Sequence, residues 1–210
     1  MPERAAARRV YTDIGMLPIP QSSNNNQSIT MKKIILIILG LAFAASSFAQ
    51  IKSATLSASG LTCSMCSKAI YKALQKVPSV KTVSPDIEGS KYEITFKEGT
   101  NIVLDDLKKA VEGAGFSIAS LKVTAGFPPT AIANDSHIEY GGATYHFLNV
   151  PNSTISGDKT FTVVDKKFLP DADYRRYAKY TTMKCVETGR MASCCSKGGA
   201  MGTRVYHVTL

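Results

Sequence analysis

Between residues 51 and 124 the hydrophobic period alternates between that of a strand and that of a helix, and this order restricts the fold more than any other feature. Ala54, Leu56 and Ala58 alternate with polar neighbours, as in a half-buried strand. From Ser64 the apolar set Cys66, Ile70, Ala73, Leu74 and Val77 recurs at helical spacing until Pro78 stops it. Val80 and Val83 mark a second strand, and Pro85 assigns it to an edge because proline cannot donate to a central ladder. After a turn at Glu88-Gly89-Ser90, Tyr92, Ile94 and Phe96 alternate with Glu93, Thr95 and Lys97. Leu104, Leu107, Val111 and Ala114 share one face of a second helix, which Gly113 and Gly115 close. Ala119, Leu121 and Val123 supply the last strand. The order predicts an α+β, ferredoxin-like βαββαβ domain over residues 50–125, with two helices on one face of a four-stranded antiparallel sheet.

The rest of the chain has a different character. Gly126, Pro128 and Pro129 suggest a linker over residues 126–132. Ile138 and Tyr140, then Gly141-Gly142, then Ala143, Tyr145 and Phe147 read as a hairpin with a glycine turn. Phe161, Val163 and Val164 suggest another strand. Asp171 or Asp173 is a candidate cap for a short helix through Tyr177, and residues 204–210 suggest a final strand. Six of the nine tyrosines lie beyond residue 132, enough aromatic mass for a small core. Residues 133–210 are therefore expected as a separate, mostly-β domain, with an OB-like barrel as the candidate shape.

The N-terminal region reads as an export signal. Lys32 and Lys33 precede a 12-residue apolar run from Ile34 to Ala45, followed by small residues through Ala49. A basic start, a short apolar core and a Ser-x-Ala site make residues 31–49 a secretory signal peptide, with cleavage before Gln50. The run is short for a membrane span, so no stable span is expected once the signal is removed. Residues 1–30 are polar and aperiodic, and are expected to be a disordered or misassigned extension ahead of Met31. The net charge is +9; five basic and two acidic residues precede Gln50, leaving 20 against 14, or +6. No Lys/Arg block is dense enough to suggest nucleic acid. No nucleophile–base pair, phosphate loop or paired-carboxylate site is visible in the sequence, and no enzyme activity is expected. The expected location is the periplasm, or outside the cell, within a bacterial cell envelope.

The chemistry is concentrated at Gly60-Leu61-Thr62-Cys63-Ser64-Met65-Cys66, between the first predicted strand and helix. Two cysteines at this spacing place both sulfurs on one side of the junction, where helix N–H groups and the macrodipole favour negative charge. A soft two-thiolate pair suits Cu(I), Ag(I) or Hg(II). The segment resembles the Gly-Met-Thr-Cys-x-x-Cys signature of heavy-metal-associated domains, found in copper chaperones, copper-ATPase N-termini and the periplasmic mercury-binding protein. Leu61 stands where that family most often has Met, and should support the loop sterically. The resemblance implies metal ligation by Cys63 and Cys66, with Phe116 close to the loop. It also implies sequestration or transfer of a metal ion, Cu(I) first, with Hg(II), Ag(I) or Zn(II) as alternatives. The partner it implies is a metal-transporting ATPase or efflux protein; Lys68 and Lys72, which follow on the helix, are either contacts for an acidic partner or a solvated helix face. A mercuric-ion binding protein and a thiol–disulfide oxidoreductase remain the alternative functions.

Cys185, Cys194 and Cys195 fall near Met183, Met191, Met201 and His207, a donor set that copper favours. They are a candidate second metal site. The competing expectation is a disulfide from Cys185 to Cys194 or Cys195, stapling a short loop in an exported domain. His137 and His146 read as ordinary strand residues.

Overall fold

The computed structural model describes residues 51–60, 64–195 and 200–210. The expected extension and signal peptide, residues 1–49, lie outside the described residues.

The first half follows the hydrophobic periods. Strand β1 (Ile51–Ser59), helix α1 (Ser64–Gln75), strands β2 (Val80–Asp86) and β3 (Lys91–Phe96), helix α2 (Leu104–Gly113) and strand β4 (Ser117–Ile132) occur in the predicted order. Leu56, Ile70, Leu74, Ile94, Leu104, Leu107 and Leu121 are fully buried. Each contributes about 1.5–3 kcal/mol by leaving water. The Tyr92 hydroxyl lies 3.0 Å from Ser67 Oγ and pins the first turns of α1 to β3. Asp105 and Asp106 occupy the first turn of α2, where they oppose its positive dipole end. Gly115, at φ +87°, reverses the chain after α2 at a conformation that side chains rarely adopt. A register shift between Ser57 and Ala58 pairs Ala58 with Ile118. That irregularity puts Ile118 in the core and leaves Ala119 half-buried, against the expected alternation.

The second half departs from expectation. Residues 126–132 are not a linker: β4 continues through Pro128 and Pro129 and pairs with β7 (Ser153–Val163) from Lys122 to Ile132. Pairing of β4 with β1 reaches only to Ala125, so the prolines sit where β4 has lost that neighbour. A register shift between Phe127 and Thr130 accommodates them against β7. Strands β5 (Ser136–Tyr140) and β6 (Ala143–Phe147) form the expected hairpin, with Gly141 and Gly142 both at positive φ, as a tight hairpin turn requires. Strand β8 (Val205–Thr209) lies between β7 and β6, antiparallel to the first and parallel to the second.

One eight-stranded sheet results, in the order β2-β3-β1-β4-β7-β8-β6-β5. Pro85 lies on its edge strand, as its chemistry demands. Residues 133–210 do not form a separate OB-like barrel; they extend the sheet of the first half, and the described residues make one compact unit. Phe127, in the expected linker, stacks on Tyr140 at 4.2 Å, and Val123 of the first half pairs with Phe161 of the second, so the packing runs across the expected boundary. Short helices α3 (Asp171–Tyr177) and α4 (Cys185–Thr188) complete the fold. Asp171 begins α3 without acting as a side-chain cap; Pro170 holds the N-cap position.

Because β4 belongs to both halves, residues 50–210 are expected to unfold in one calorimetric transition with agreeing calorimetric and van't Hoff enthalpies. Two separated transitions would contradict the shared sheet.

Candidate metal centre

Of the expected dithiolate, Cys66 lies at the start of α1, which follows β1 in the chain. Gly60 ends β1 at φ +82°, and Phe116 Cδ1 lies 4.0 Å from where a Gly60 Cβ would stand. Phe116 therefore packs beside Gly60, where β1 ends. Cys66 lies in the first turn of α1 and is half-buried, while neighbouring Met65 is 73% exposed. Cys63 lies outside the described residues, as do Leu61 and Thr62. Lys68 and Lys72 are exposed on α1.

The second cluster is different from the one the sequence suggested. His137 on β5 stands directly opposite His146 on β6, and His146 stands opposite His207 on β8. The three histidines of the chain thus form one row across three adjacent strands. Side chains alternate along a strand, so these imidazoles point away from the face that carries Tyr145 and Tyr206. Helix α4 sets Cys185 onto the row. Its Sγ lies 3.5 Å from His207 Nε2, 3.6 Å from His146 Nδ1 and 3.8 Å from His137 Nε2. Cys185, His146 and His207 are fully buried; His137 and Cys195 are half-buried. The donor atoms of His146, Cys185 and His207 lie within 4.8 Å of one another, as do those of His137, Cys185 and Cys195.

The expected staple from Cys185 to Cys194 or Cys195 is not formed; all three are free thiols. Cys185 is committed to the histidine row, and the Cys194 sulfur accepts the Lys184 backbone N–H at 3.2 Å. That backbone donor lowers the Cys194 pKa. Cys194 stands outside both donor groups, so of the three cysteines only Cys185 and Cys195 join the cluster. His137 and His146 are not ordinary strand residues. Alternation alone could not reveal them, since their common row depends on a parallel pairing between distant strands.

Two carboxylates orient the buried imidazoles. Asp135 Oδ1 lies 2.9 Å from His146 Nε2, and Asp165 Oδ1 lies 2.5 Å from His207 Nδ1. A carboxylate only accepts, so the facing nitrogen donates and the opposite nitrogen turns its lone pair toward Cys185. Asp135 holds this position at φ +63°, a left-handed conformation that its short side chain tolerates better than most. Burial, then the neighbouring His207 and His137, pull His146 down to about 4 despite Asp135, leaving it a neutral imidazole at neutral pH. Burial and a hydrogen bond with Cys195 push the Cys185 thiol upward.

Asp165 continues the network outward. It accepts Arg204 Nη2 at 2.7 Å, and Arg204 Nε reaches Asp105 of α2 at 2.7 Å. Gly189, at φ +67°, ends α4 and lies against the guanidinium; a Cβ there would come 2.8 Å from Arg204 Nη1. A cleft of about 960 Å³ opens beside this network between Asn101, Gly142 and Gly189. Its Asp105, Lys108 and Arg204 are paired with one another, and the metal-type donors do not line it.

The heavy-metal-associated domain model matches residues 55–117. The mercuric transport protein periplasmic component of Pseudomonas fluorescens is 35% identical over 86 residues, covering 41% of this chain and 93% of that protein. Its counterpart from Acinetobacter calcoaceticus is 36% identical over 93 residues, covering 44% and 99%. Among solved structures, oxidised MerP from Ralstonia metallidurans CH34 is 32% identical, covering 33% of this chain and 97% of that one, with a TM-score of 0.30. Through its first half, this chain belongs to the heavy-metal-associated domain family.

Proposed function

We propose that the protein is an exported carrier of a soft metal ion, held between Cys63 and Cys66, which sequesters the ion or hands it on in the cell envelope. The observation that carries this reading is the sequence Gly60-Leu61-Thr62-Cys63-Ser64-Met65-Cys66 between β1 and α1, with Cys66 in the first helical turn beside exposed Met65. Two thiolates at a helix N-terminus offer a soft, charge-compensated seat. An accessible pair also lets an incoming thiolate bind the ion before the outgoing one leaves, so transfer needs no free ion.

The named relatives are mercuric transport components, which favours Hg(II) as the cargo. Cu(I), placed first by the sequence, is the second reading, because the same two sulfurs serve it. Zn(II) usually takes four ligands and fits a two-sulfur seat poorly. The relatives' periplasmic names and the signal pattern of residues 31–49 together support export to the periplasm. A metal-transporting ATPase or efflux protein with an acidic docking face would suit Lys68 and Lys72.

Competition titration of reduced protein against a small dithiol chelator tests the reading. We expect one Hg(II) bound tightly, retained over Cu(I) at equal free-ion activity. Preference for Cu(I) would reassign the cargo, and failure to hold either ion would overturn the proposal. An oxidoreductase would instead turn over insulin disulfides, and we expect no such turnover.

A further inference from the structure

We propose that His146, His207 and Cys185, joined by His137 or Cys195, form a second and buried site for a tetrahedral, borderline ion of the Zn(II) class. The site is independent of Cys63 and Cys66 and lies wholly within the second half of the chain.

The geometry has three parts. First, the spacing fits. With metal–nitrogen bonds of about 2.0 Å and metal–sulfur bonds of about 2.3 Å, a tetrahedral N···S edge is about 3.5 Å. The edges from Cys185 Sγ to His207 Nε2 and His146 Nδ1 are 3.5 and 3.6 Å. Second, the proton inventory favours a cation. Asp135 and Asp165 fix both imidazoles with lone pairs aimed at the sulfur. One S–H can satisfy one of those lone pairs and no more. A metal ion, bound as Cys185 releases its proton to solvent, satisfies both nitrogens and the sulfur together. Third, each buried imidazole is backed by a carboxylate on its far nitrogen, the arrangement that orients metal-bound histidines. His137 and Cys195, both half-buried, supply the fourth donor and the way in.

The donor set also selects the ion. Two imidazoles and a thiolate, with a further nitrogen or sulfur, match Zn(II) and its spectroscopic substitute Co(II). A purely sulfur-seeking ion gains less from the nitrogens than it would at Cys63 and Cys66. The two sites are therefore suited to different metals.

The test uses the full mature chain carrying Cys63→Ser and Cys66→Ser, reduced and metal-free, titrated with Co(II) and then Zn(II). We expect one Co(II) per chain, with the intense visible bands of tetrahedral cobalt and a thiolate-to-cobalt charge-transfer band, displaced by one Zn(II). Cys185→Ala should diminish the charge-transfer band, and Cys185→Ala combined with Cys195→Ala should remove it. Asp135→Asn, which leaves every donor atom in place, should weaken binding by roughly 10- to 100-fold. His137→Gln, at the half-buried rim, adds a variant less prone to unfolding. Circular dichroism reports whether each variant stays folded. Folded protein that binds no Co(II) would overturn the proposal, and so would a six-coordinate cobalt spectrum without the thiolate band. Cobalt binding untouched in folded Cys185→Ala and Asp135→Asn variants would overturn it equally.

Discussion

Serine at either Cys63 or Cys66 is expected to weaken soft-ion binding by roughly 100- to 10,000-fold, because the second thiolate acts as an intramolecular ligand at high effective concentration. The loss should be nearly complete in each single variant, and the double variant should add little. On the carrier reading both residues belong to one chelate, and groups that act as a unit are not additive. Stability should hardly change. Cys66 is half-buried in the first turn of α1, while the helix is anchored elsewhere by Ile70, Leu74 and the Ser67–Tyr92 contact. Chelator competition, paired with thermal melts of metal-free protein, separates the two effects. A single variant that keeps affinity within a few-fold of the unaltered protein would remove Cys63 and Cys66 from the site.

Removing the guanidinium at Arg204 is expected to cost about 3–5 kcal/mol, the usual penalty for breaking one partner out of a buried ionic network. For a chain of this size that lowers the melting temperature by on the order of 10 °C. Arg204 bridges Asp105 of α2 and Asp165, whose side chain is only 4% exposed, and so ties α2 to the second half of the chain. Arg204→Ala would leave two carboxylates with little water to replace the lost charge. Arg204→Lys should recover only part of the loss, because a compact ammonium lacks the rigid planar fork that spans both carboxylates. The same network sets an acid limb. Burial acts to raise the Asp105 pKa, but hydrogen bonds from Arg204 and Lys108 overcome it and hold the group at about 2. A depressed folded pKa contributes stability that is complete above the unfolded value near 4 and is lost as pH falls toward 2. Stability of the unaltered protein should therefore decline across that window, and the Arg204→Ala protein should decline less. Equal acid limbs in the two proteins would contradict this account.

The first half of the fold was legible because its determinants are local. Alternation at Tyr92, Ile94 and Phe96 and helical spacing at Leu104, Leu107 and Val111 need no distant partner to be read. Pro128 and Pro129 misled the boundary assignment, since proline usually ends a strand. Here β4 has already lost β1 as a neighbour, and an irregular register with β7 absorbs the missing donors. The proposal for Cys63 and Cys66 rests on their spacing and on the resemblance of the surrounding segment. The histidine row was not legible in the sequence, because His207 reaches His146 through parallel pairing of β8 with β6, strands far apart in sequence. Sequence proximity instead grouped Cys194 with Cys185, and the fold separates their roles: one sulfur faces the imidazoles, the other a surface backbone amide.

The measurement that bears most directly on the carrier reading is X-ray absorption at the mercury edge of reduced protein loaded with one equivalent of Hg(II). Two sulfur neighbours and no imidazole nitrogen are predicted, with one sulfur lost in Cys63→Ser and no change in Cys185→Ala. A shell containing imidazole nitrogen, or a spectrum unchanged in Cys63→Ser, would place the ion in the buried histidine cluster and contradict the account.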